Sequence, residues 1–291
     1  VRLAAAQWPI EAVPTLDAWR AKLTRWIGEA ASAGAELAIV PEYASMELTA
    51  ALPPATAGDL AAQLVELQAL LPAYRETYAA LARRHAIAIV AGSFPEADAG
   101  GYRNRARIYD AGGERACVEK LQMTRFERET WGIAGGAGQV VVDLPFGRLG
   151  VAICYDAEFP LIVRRLVAAG ADLIAVPSAT DTRAGYHRVR VACQARALES
   201  QCAVVQAPTV GAAPWSLAMD ANVGAAAVFT APDRGLPDDG VLAIGAPDQP
   251  QWLIADLDLE LIRRVRTEGQ VTGHRDWALP AHLVGEVRAV R

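Results

Sequence analysis

The sequence predicts an α/β fold in which a mixed sheet system is covered by helices. Three observations carry that prediction. Short apolar runs alternate along the chain with longer segments whose apolar residues recur every three or four positions. Two stretches of strand character fold back on themselves, one at Gly112-Gly113 and one near Pro145-Phe146-Gly147, as hairpins do. Strand–helix–strand units give parallel neighbours and hairpins give antiparallel ones, so the sheet is mixed. The 291 residues allow one large domain or two ordinary ones, and no repeat or low-complexity linker divides them.

Leu3 to Ala6 reads as the first strand. Trp19, Leu23, Trp26, Ile27 and Ala30 then fall on one face of a helix over 16–33, which Gly34 ends. Leu37 to Val40 is a buried strand that stops at Pro41-Glu42. Asp59 is placed to cap a helix bearing Leu60, Leu64, Leu67 and Leu71, with Pro72 as an interruption before Tyr74, Tyr78 and Leu81 resume the stripe. Ile87 to Ala91 is the next strand, followed by hairpins over 105–119 and 139–154. Helices are expected at 160–169, 186–199 and 258–266. Further strands are expected at 172–176, 202–207, Ala225 to Phe229 and Trp252 to Ala255.

Composition excludes several classes. Apolar residues make up 53% and charged residues 21%, too apolar a balance for a disordered chain. The net charge of -5 and the lack of a dense basic tract argue against a nucleic-acid or anionic-membrane partner. The greasiest regions are cut by Pro160, Arg164, Arg165 or Gly170, so no span of a bilayer is expected. The first residues lack the apolar stretch of a signal peptide. Four cysteines, none in a CxxC pair, read as free thiols in a reducing cytoplasm. His85, His187, His274 and His282 show no close pairing, and no metal site is expected.

Three predicted strands end abruptly at a reactive side chain: Ala38-Ile39-Val40-Pro41-Glu42, Ala116-Cys117-Val118-Glu119-Lys120 and Gly150-Val151-Ala152-Ile153-Cys154-Tyr155-Asp156. Loops at strand ends carry chemistry on a rigid frame. Singly, each has a bland explanation: a solvated loop carboxylate, a surface lysine, a small core thiol. Together, with Ala5-Ala6-Gln7, Val176-Pro177-Ser178 and Ala195-Arg196-Ala197-Leu198-Glu199 in the same order, the chain resembles the nitrilase superfamily, the carbon–nitrogen hydrolases, over nearly its whole length.

That resemblance implies a four-layer α-β-β-α sandwich, one hydrolase domain over residues 1–291, and assembly as a homodimer or higher homo-oligomer. A C-terminal extension from about residue 268 is then available to contact a partner subunit. It also implies a Glu–Lys–Cys triad of Glu42, Lys120 and Cys154. Glu127, seven residues after Lys120, is the preferred supporting carboxylate; Glu129 stays the alternative, because this stretch departs from the commoner pattern. The substrate pocket is expected at Tyr43, Trp131, Tyr155, Glu158, Phe159, Ser178, Ala179 and Thr180, which lie just beyond the motif residues.

The chemistry suits these residue types. A free thiol is only slightly ionised at neutral pH, so Cys154 needs a base, and Glu42 within reach supplies one. A lysine ammonium and the backbone N–H of Tyr155 could hold the oxygen of a tetrahedral intermediate. Neither metal nor organic cofactor is called for. Asp156 reads as a loop-fixing acceptor, Arg196 and Glu199 as a helix pair, Cys117, Cys193 and Cys202 as core, and Gly135-Gly136-Ala137-Gly138 as a turn. Three functional readings remain: an amidase acting on a small carboxamide, a nitrilase or N-carbamoyl amino acid hydrolase with the same triad, and a non-catalytic binding protein on the same fold.

Overall fold

The first strand, β1 (Arg2–Pro9), leads into α1 (Leu16–Ser32), whose N-terminus is capped by the Thr15 hydroxyl accepting the N–H of Ala18. Gly34 follows the helix at φ 78°, a turn that glycine makes without Cβ strain. The structure is a computed structural model and describes residues 1–278 and Gly285. β2 (Leu37–Ile39) comes next, then a 3-10 segment (Ala44–Ala51) and α2 (Leu60–Leu67), capped by Asp59 through the N–H groups of Ala61 and Ala62.

The expected interruption at Pro72 is displaced. The helix breaks at Gln68–Leu70, and Pro72 stands in the first turn of α3 (Leu71–His85), where its missing N–H has no partner to lose. β3 (Ala88–Val90), β4 (Phe94–Asp98), β5 (Gly101–Asp110) and β6 (Gly113–Glu119) follow. β4 was not foreseen, because Phe94-Pro95-Glu96-Ala97-Asp98 carries a proline and two carboxylates. It is tolerated at the end of the strand order, where Glu96 pairs with Arg75 and Arg107.

Then come β7 (Ile133–Ala134), β8 (Val141–Leu144), β9 (Gly147–Val151), α4 (Pro160–Ala168), β10 (Leu173–Ser178), α5 (Arg183–Ser200) and β11 (Ala203–Ala212). The described chain closes with β12 (Ala221–Asn222), β13 (Ala227–Phe229), β14 (Val241–Ile244), β15 (Gln251–Asp256), α6 (Leu259–Glu268) and α7 (Gly273–Asp276). Both hairpins turn where predicted: β5–β6 closes at Asp110 opposite Gly113, and β8–β9 at Leu144 opposite Gly147.

The strand order β4-β5-β3-β2-β1-β11-β10-β9-β8 divides at β1. Arg2 to Gln7 pair antiparallel with β15, and Leu3 to Ala5 pair in parallel with β2. Trp8 and Pro9 cross to β11, so one strand belongs to two half-sheets. Alternate residues then serve different cores. Leu3, Ala5, Leu37 and Ile39 pack in one core with Val151, Val176 and Val204 of the other half-sheet. Ala4, Ala6, Ala38 and Val40 pack in a second core against Trp19, Leu23 and Ile27 of α1 and Tyr74 and Tyr78 of α3. On the far side, α4 and α5 contribute Val163, Leu166, Val189 and Cys193. The result is the expected sequence of layers: helices, half-sheet, half-sheet, helices.

Two side-chain expectations need correction or limit. Cys193 and Cys202 are fully buried, but Cys117 is only half-buried on β6, whose burial pattern is broken by exposed charged residues. Of the C-terminal extension, α7 lies against α5 and α6, and Arg164 of α4 reaches over to donate to the carbonyl of His274 with its guanidinium over the Trp277 ring. Residues 279–284 and 286–291, His282 among them, lie outside the described residues.

Candidate active site

Glu42 stands three residues beyond the end of β2, in a segment whose path is fixed by close packing. Tyr43 sits in the left-handed region at φ 55°, and its N–H donates to Ser93 Oγ at 3.0 Å. Gly92 passes this segment so closely that an added Cβ would meet Ala44 Cβ at 2.9 Å and Pro41 O at 3.0 Å. Lys120 follows β6, its N–H donating to Asn104 O at 2.9 Å across the β5–β6 pair. Cys154 opens a 3-10 turn (Cys154–Glu158) beyond β9 and is itself left-handed at φ 49°. A non-glycine residue held there costs on the order of 1 kcal/mol or more, a strain that clusters at functional sites.

The ends of β2, β6, β9 and β10 converge on a cavity of about 590 Å³ lined by Glu42, Lys120, Glu127 and Cys154. Lys120 Nζ donates to Glu42 Oε1 at 2.8 Å and to Glu127 Oε2 at 2.6 Å, all three side chains being buried. Glu127 Oε2 also accepts from the N–H of Thr124 at 2.9 Å and its hydroxyl at 2.8 Å, while Oε1 accepts from Tyr43 OH at 2.8 Å. Asn104 Nδ2 donates to Glu42 Oε1 at 2.9 Å. Glu42 Oε2 accepts the N–H of Ala179 at 3.0 Å, and the carbonyl of the same residue takes the Cys154 thiol at 3.7 Å. Glu42 and Cys154 are thus neighbours that share Ala179 as a backbone partner.

Burial and charge set the proton positions. Burial pushes the Glu42 carboxyl up; Lys120 pulls it back, the Glu127 charge pushes it up again, and the net is above the ordinary 4.5. Burial also raises Glu127, but Lys120 and the donors of Thr124 and Tyr43 outweigh it and hold this carboxyl low. Burial disfavours the charged form of Lys120, yet Glu42 and Glu127 more than compensate, so the ammonium stays protonated. The Cys154 thiol is pushed well up by burial and then by the Glu42 charge. At rest the proton is on sulfur, and a nucleophilic attack requires its transfer to a neighbouring base.

Of the residues predicted around the site, Tyr43, Trp131, Tyr155, Glu158, Ala179 and Thr180 line the cavity. Phe159 does not: it packs edge-on against Tyr155 with ring centroids 4.9 Å apart. Ser178 does not either, being wholly buried with Oγ donating to Ala207 O at 3.4 Å, because alternation along β10 turns it inward. Glu129 is turned outward to Arg125 at 2.7 Å, so Glu127 is the carboxylate at the lysine. Glu158 stands 3.6 Å from Arg188 on the cavity wall.

Sequence reasoning missed Asn104, Thr124, Arg125, Arg188 and the Leu217–Asn222 wall. Asn104 had a signal. It occupies the buried parity of β5 with Ala106 and Ile108, where an amide has no reason to be unless it meets polar partners. The 217–222 segment carries no motif, and only the tertiary fold brings it over Cys154. Among the described residues no group of three or more His, Cys, Asp or Glu is arranged to hold a metal ion. No helix among them is long and apolar enough to cross a membrane.

Comparison with known proteins shows the family of the chain and agrees with its fold. Residues 2–267 match the model of the carbon-nitrogen hydrolase family. The probable hydrolase YhcX of Bacillus subtilis is 30% identical over 280 residues, which cover 95% of this chain and 53% of that protein. A deaminated glutathione amidase of Synechocystis is 27% identical over 231 residues, covering 75% of this chain and 81% of that one. Among solved structures, the Nesterenkonia AN1 amidase of the nitrilase superfamily superposes with a TM-score of 0.65 at 24% identity, over 95% of this chain and 97% of that one. The chain spans about half the length of the first curated relatives it matches.

Proposed function

The chain belongs to the carbon-nitrogen hydrolase family, and on that premise we propose that it hydrolyses a small carboxamide to a carboxylic acid and ammonia through a thioester on Cys154. The observation that carries this reading is the ammonium of Lys120 buried between Glu42 and Glu127, at a cavity shared with a backbone-strained cysteine.

In the first half-reaction Glu42 takes the thiol proton as sulfur attacks the carbonyl carbon. Charge moves onto the carbonyl oxygen, where Lys120 and the N–H of Tyr155 stabilise it. The C–N bond breaks as Glu42 returns the proton to the departing nitrogen. Water then enters, Glu42 removes its proton, and the acid leaves as the thiol is regenerated. Glu127 remains ionised throughout and keeps Lys120 charged when Glu42 is transiently neutral.

The Synechocystis relative and the Nesterenkonia protein both bear the name amidase, which supports a carboxamide over a nitrile. One observation favours an N-carbamoyl amino acid as the second reading: Arg125 and Arg188 line the cavity and could face a substrate carboxylate. Ammonia release from a panel of amides, nitriles and N-carbamoyl amino acids separates these. Turnover of simple amides, absent in Cys154→Ala, is expected. Activity confined to nitriles or to carbamoyl compounds overturns the first reading, and no turnover of any with an alkylation-silent Cys154 leaves the binding-protein reading.

A further inference from the structure

We infer that Asn104 is a positioning residue that turns the Glu42 carboxylate edge-on to the thiol and tunes its proton affinity. The inference rests on the catalytic reading above. Asn104 lies wholly buried on β5, at an inward position otherwise filled by Ala106 and Ile108. Its backbone carbonyl accepts the N–H of Lys120 at 2.9 Å, and its side-chain Nδ2 reaches Glu42 Oε1 at 2.9 Å and Glu127 Oε1 at 3.4 Å. One residue thereby touches the base, the lysine and the supporting carboxylate.

The orientation of the amide follows from charge. Reversed, it would set its oxygen against two carboxylate oxygens; as it stands, the NH₂ group faces both. The consequence is that Oδ1 is buried without a hydrogen-bond partner. A buried unpartnered acceptor is a stability cost that a leucine of similar size would not incur. The strand position therefore retains an amide where packing alone favours an apolar side chain.

The effect on Glu42 is geometric and electrostatic. Oε1 is occupied by two donors, Lys120 and Asn104, and Oε2 is left with one backbone donor, Ala179, on the side of Cys154. Rotation of the carboxylate would break all three bonds. Asn104 also donates to the ionised form and so opposes the upward push of burial and of Glu127. The charged or titratable groups facing Glu42 are Lys120 from the end of β6, Glu127 from the turn at 127–131, Tyr43 beyond β2 and Cys154 beyond β9.

The test is the pH dependence of Cys154 alkylation by iodoacetamide, located by peptide mass, in the wild type, Asn104→Leu and Asn104→Asp. Alkylation reads thiol activation without any assumption about substrate, so failure of the amidase reading leaves it interpretable. In Asn104→Leu the acid limb should move to higher pH, and the rate at pH 7 should fall about ten- to a hundredfold, as for loss of a hydrogen bond to a charged group. For a hydrolysed amide, kcat falls and KM stays within about twofold of its starting value. Asn104→Asp, equal in size but carrying a third carboxyl, should move the limb at least as far. A folded Asn104→Leu with an unchanged profile overturns the inference.

A second measurement needs no core substitution at Asn104. The chain has two asparagines, Asn104 and Asn222, so asparagine-selective ¹⁵N labelling gives two side-chain NH₂ groups. The Asn104 signals should shift as Glu42 titrates and cease to shift in Glu42→Gln. Signals insensitive to pH in the wild type overturn the inference.

Discussion

Asp156 accepts the backbone N–H of Leu121 at 3.0 Å and so ties the turn that begins at the nucleophile to the loop that follows the lysine. The N–H of Gln122 joins the same carboxylate at 2.8 Å. Two segments 34 to 35 residues apart in sequence, one carrying Cys154 and the other Lys120, are thereby tied to each other. Burial raises the Asp156 carboxyl to about 6 even though these donors favour its ionised form.

Asp156→Ala removes the acceptor of two part-buried backbone N–H groups, those of Leu121 and Gln122. Loss of each bond costs about 0.5–1.5 kcal/mol, and the expected outcome is a fall in stability of that order together with at least a tenfold loss of kcat. Chemical denaturation and steady-state kinetics on one preparation check both. Loss of stability with full kcat would show that the tie does not set the catalytic spacing.

Lys120→Met removes the cation between two buried carboxylates. Breaking a buried ion pair from one side destabilises by about 3–5 kcal/mol, unless a carboxylate takes up a proton instead. Thermal unfolding should therefore move to lower temperature at pH 8 and recover in part at pH 5, where protonation relieves the repulsion. Hydrolysis should be lost at both values.

The base must be ionised to accept the thiol proton. Because Glu42 is held above 4.5, the acid limb of kcat/KM should lie above that ordinary glutamate value. Glu127→Gln removes a charge that pushes Glu42 up, so its limb should move to lower pH even as kcat declines. That direction is opposite to the one expected of Asn104→Leu. A limb that moves upward in Glu127→Gln would mean that Glu127 acts on Glu42 mainly by holding Lys120 in place.

A second buried pair lies outside the site. Lys22 of α1 contacts Glu47 in the 3-10 segment, donates to Pro9 O at 2.6 Å and stands over the Trp8 ring. Burial carries the Glu47 carboxyl to about 7 despite that lysine. A carboxyl raised in the folded state binds its proton more tightly there than in the unfolded chain. Its contribution to stability is therefore fully present below about 4.5 and is lost as pH rises to about 7, by up to about 3 kcal/mol. Urea denaturation at pH 5 and pH 8 should show a flatter dependence in Glu47→Gln than in the wild type. Equal slopes would mean that Glu47 does not titrate in this window.

Gly92→Ala puts a methyl group against Ala44 and the carbonyl of Pro41. Overpacking of this kind costs about 1–3 kcal/mol, and here the segment that must yield carries Glu42. Activity should fall more than stability alone explains, measured at a temperature where the variant is fully folded. Gly58→Ala, whose added Cβ meets nothing within 4 Å and whose φ is, like that of Gly92, outside the left-handed region, serves as the control.

Much of this was legible in the chain because it rests on local physics. Periods of three to four marked α1, α2 and α3, Asp59 marked a cap, and glycines marked both hairpins; these depend on neighbours a few residues away. Glu42 and Cys154 stood out because they follow apolar runs that have to be buried, and Lys120 because it ends a predicted hairpin strand. β4 was invisible because it is held by antiparallel pairing with β5, and its Glu96 is neutralised by Arg75, Arg105 and Arg107, neither of which its own five residues announce. Phe159 and Ser178 were misplaced by a shared limitation: sequence gives a residue's distance from a motif, but not the direction in which its side chain leaves the backbone.

The order of residues by itself determined the helices, the hairpins, the position of the first strand, and the identity of the side chains able to do acid–base and nucleophilic chemistry. The tertiary structure decided which glutamate meets Lys120, which backbone residue Glu42 and Cys154 share, and which uncharged side chain donates to Glu42. The reason is that propensity and period are properties of one segment, whereas a buried charge takes its proton affinity from every group within a few ångströms, and those groups arrive from the ends of separate strands.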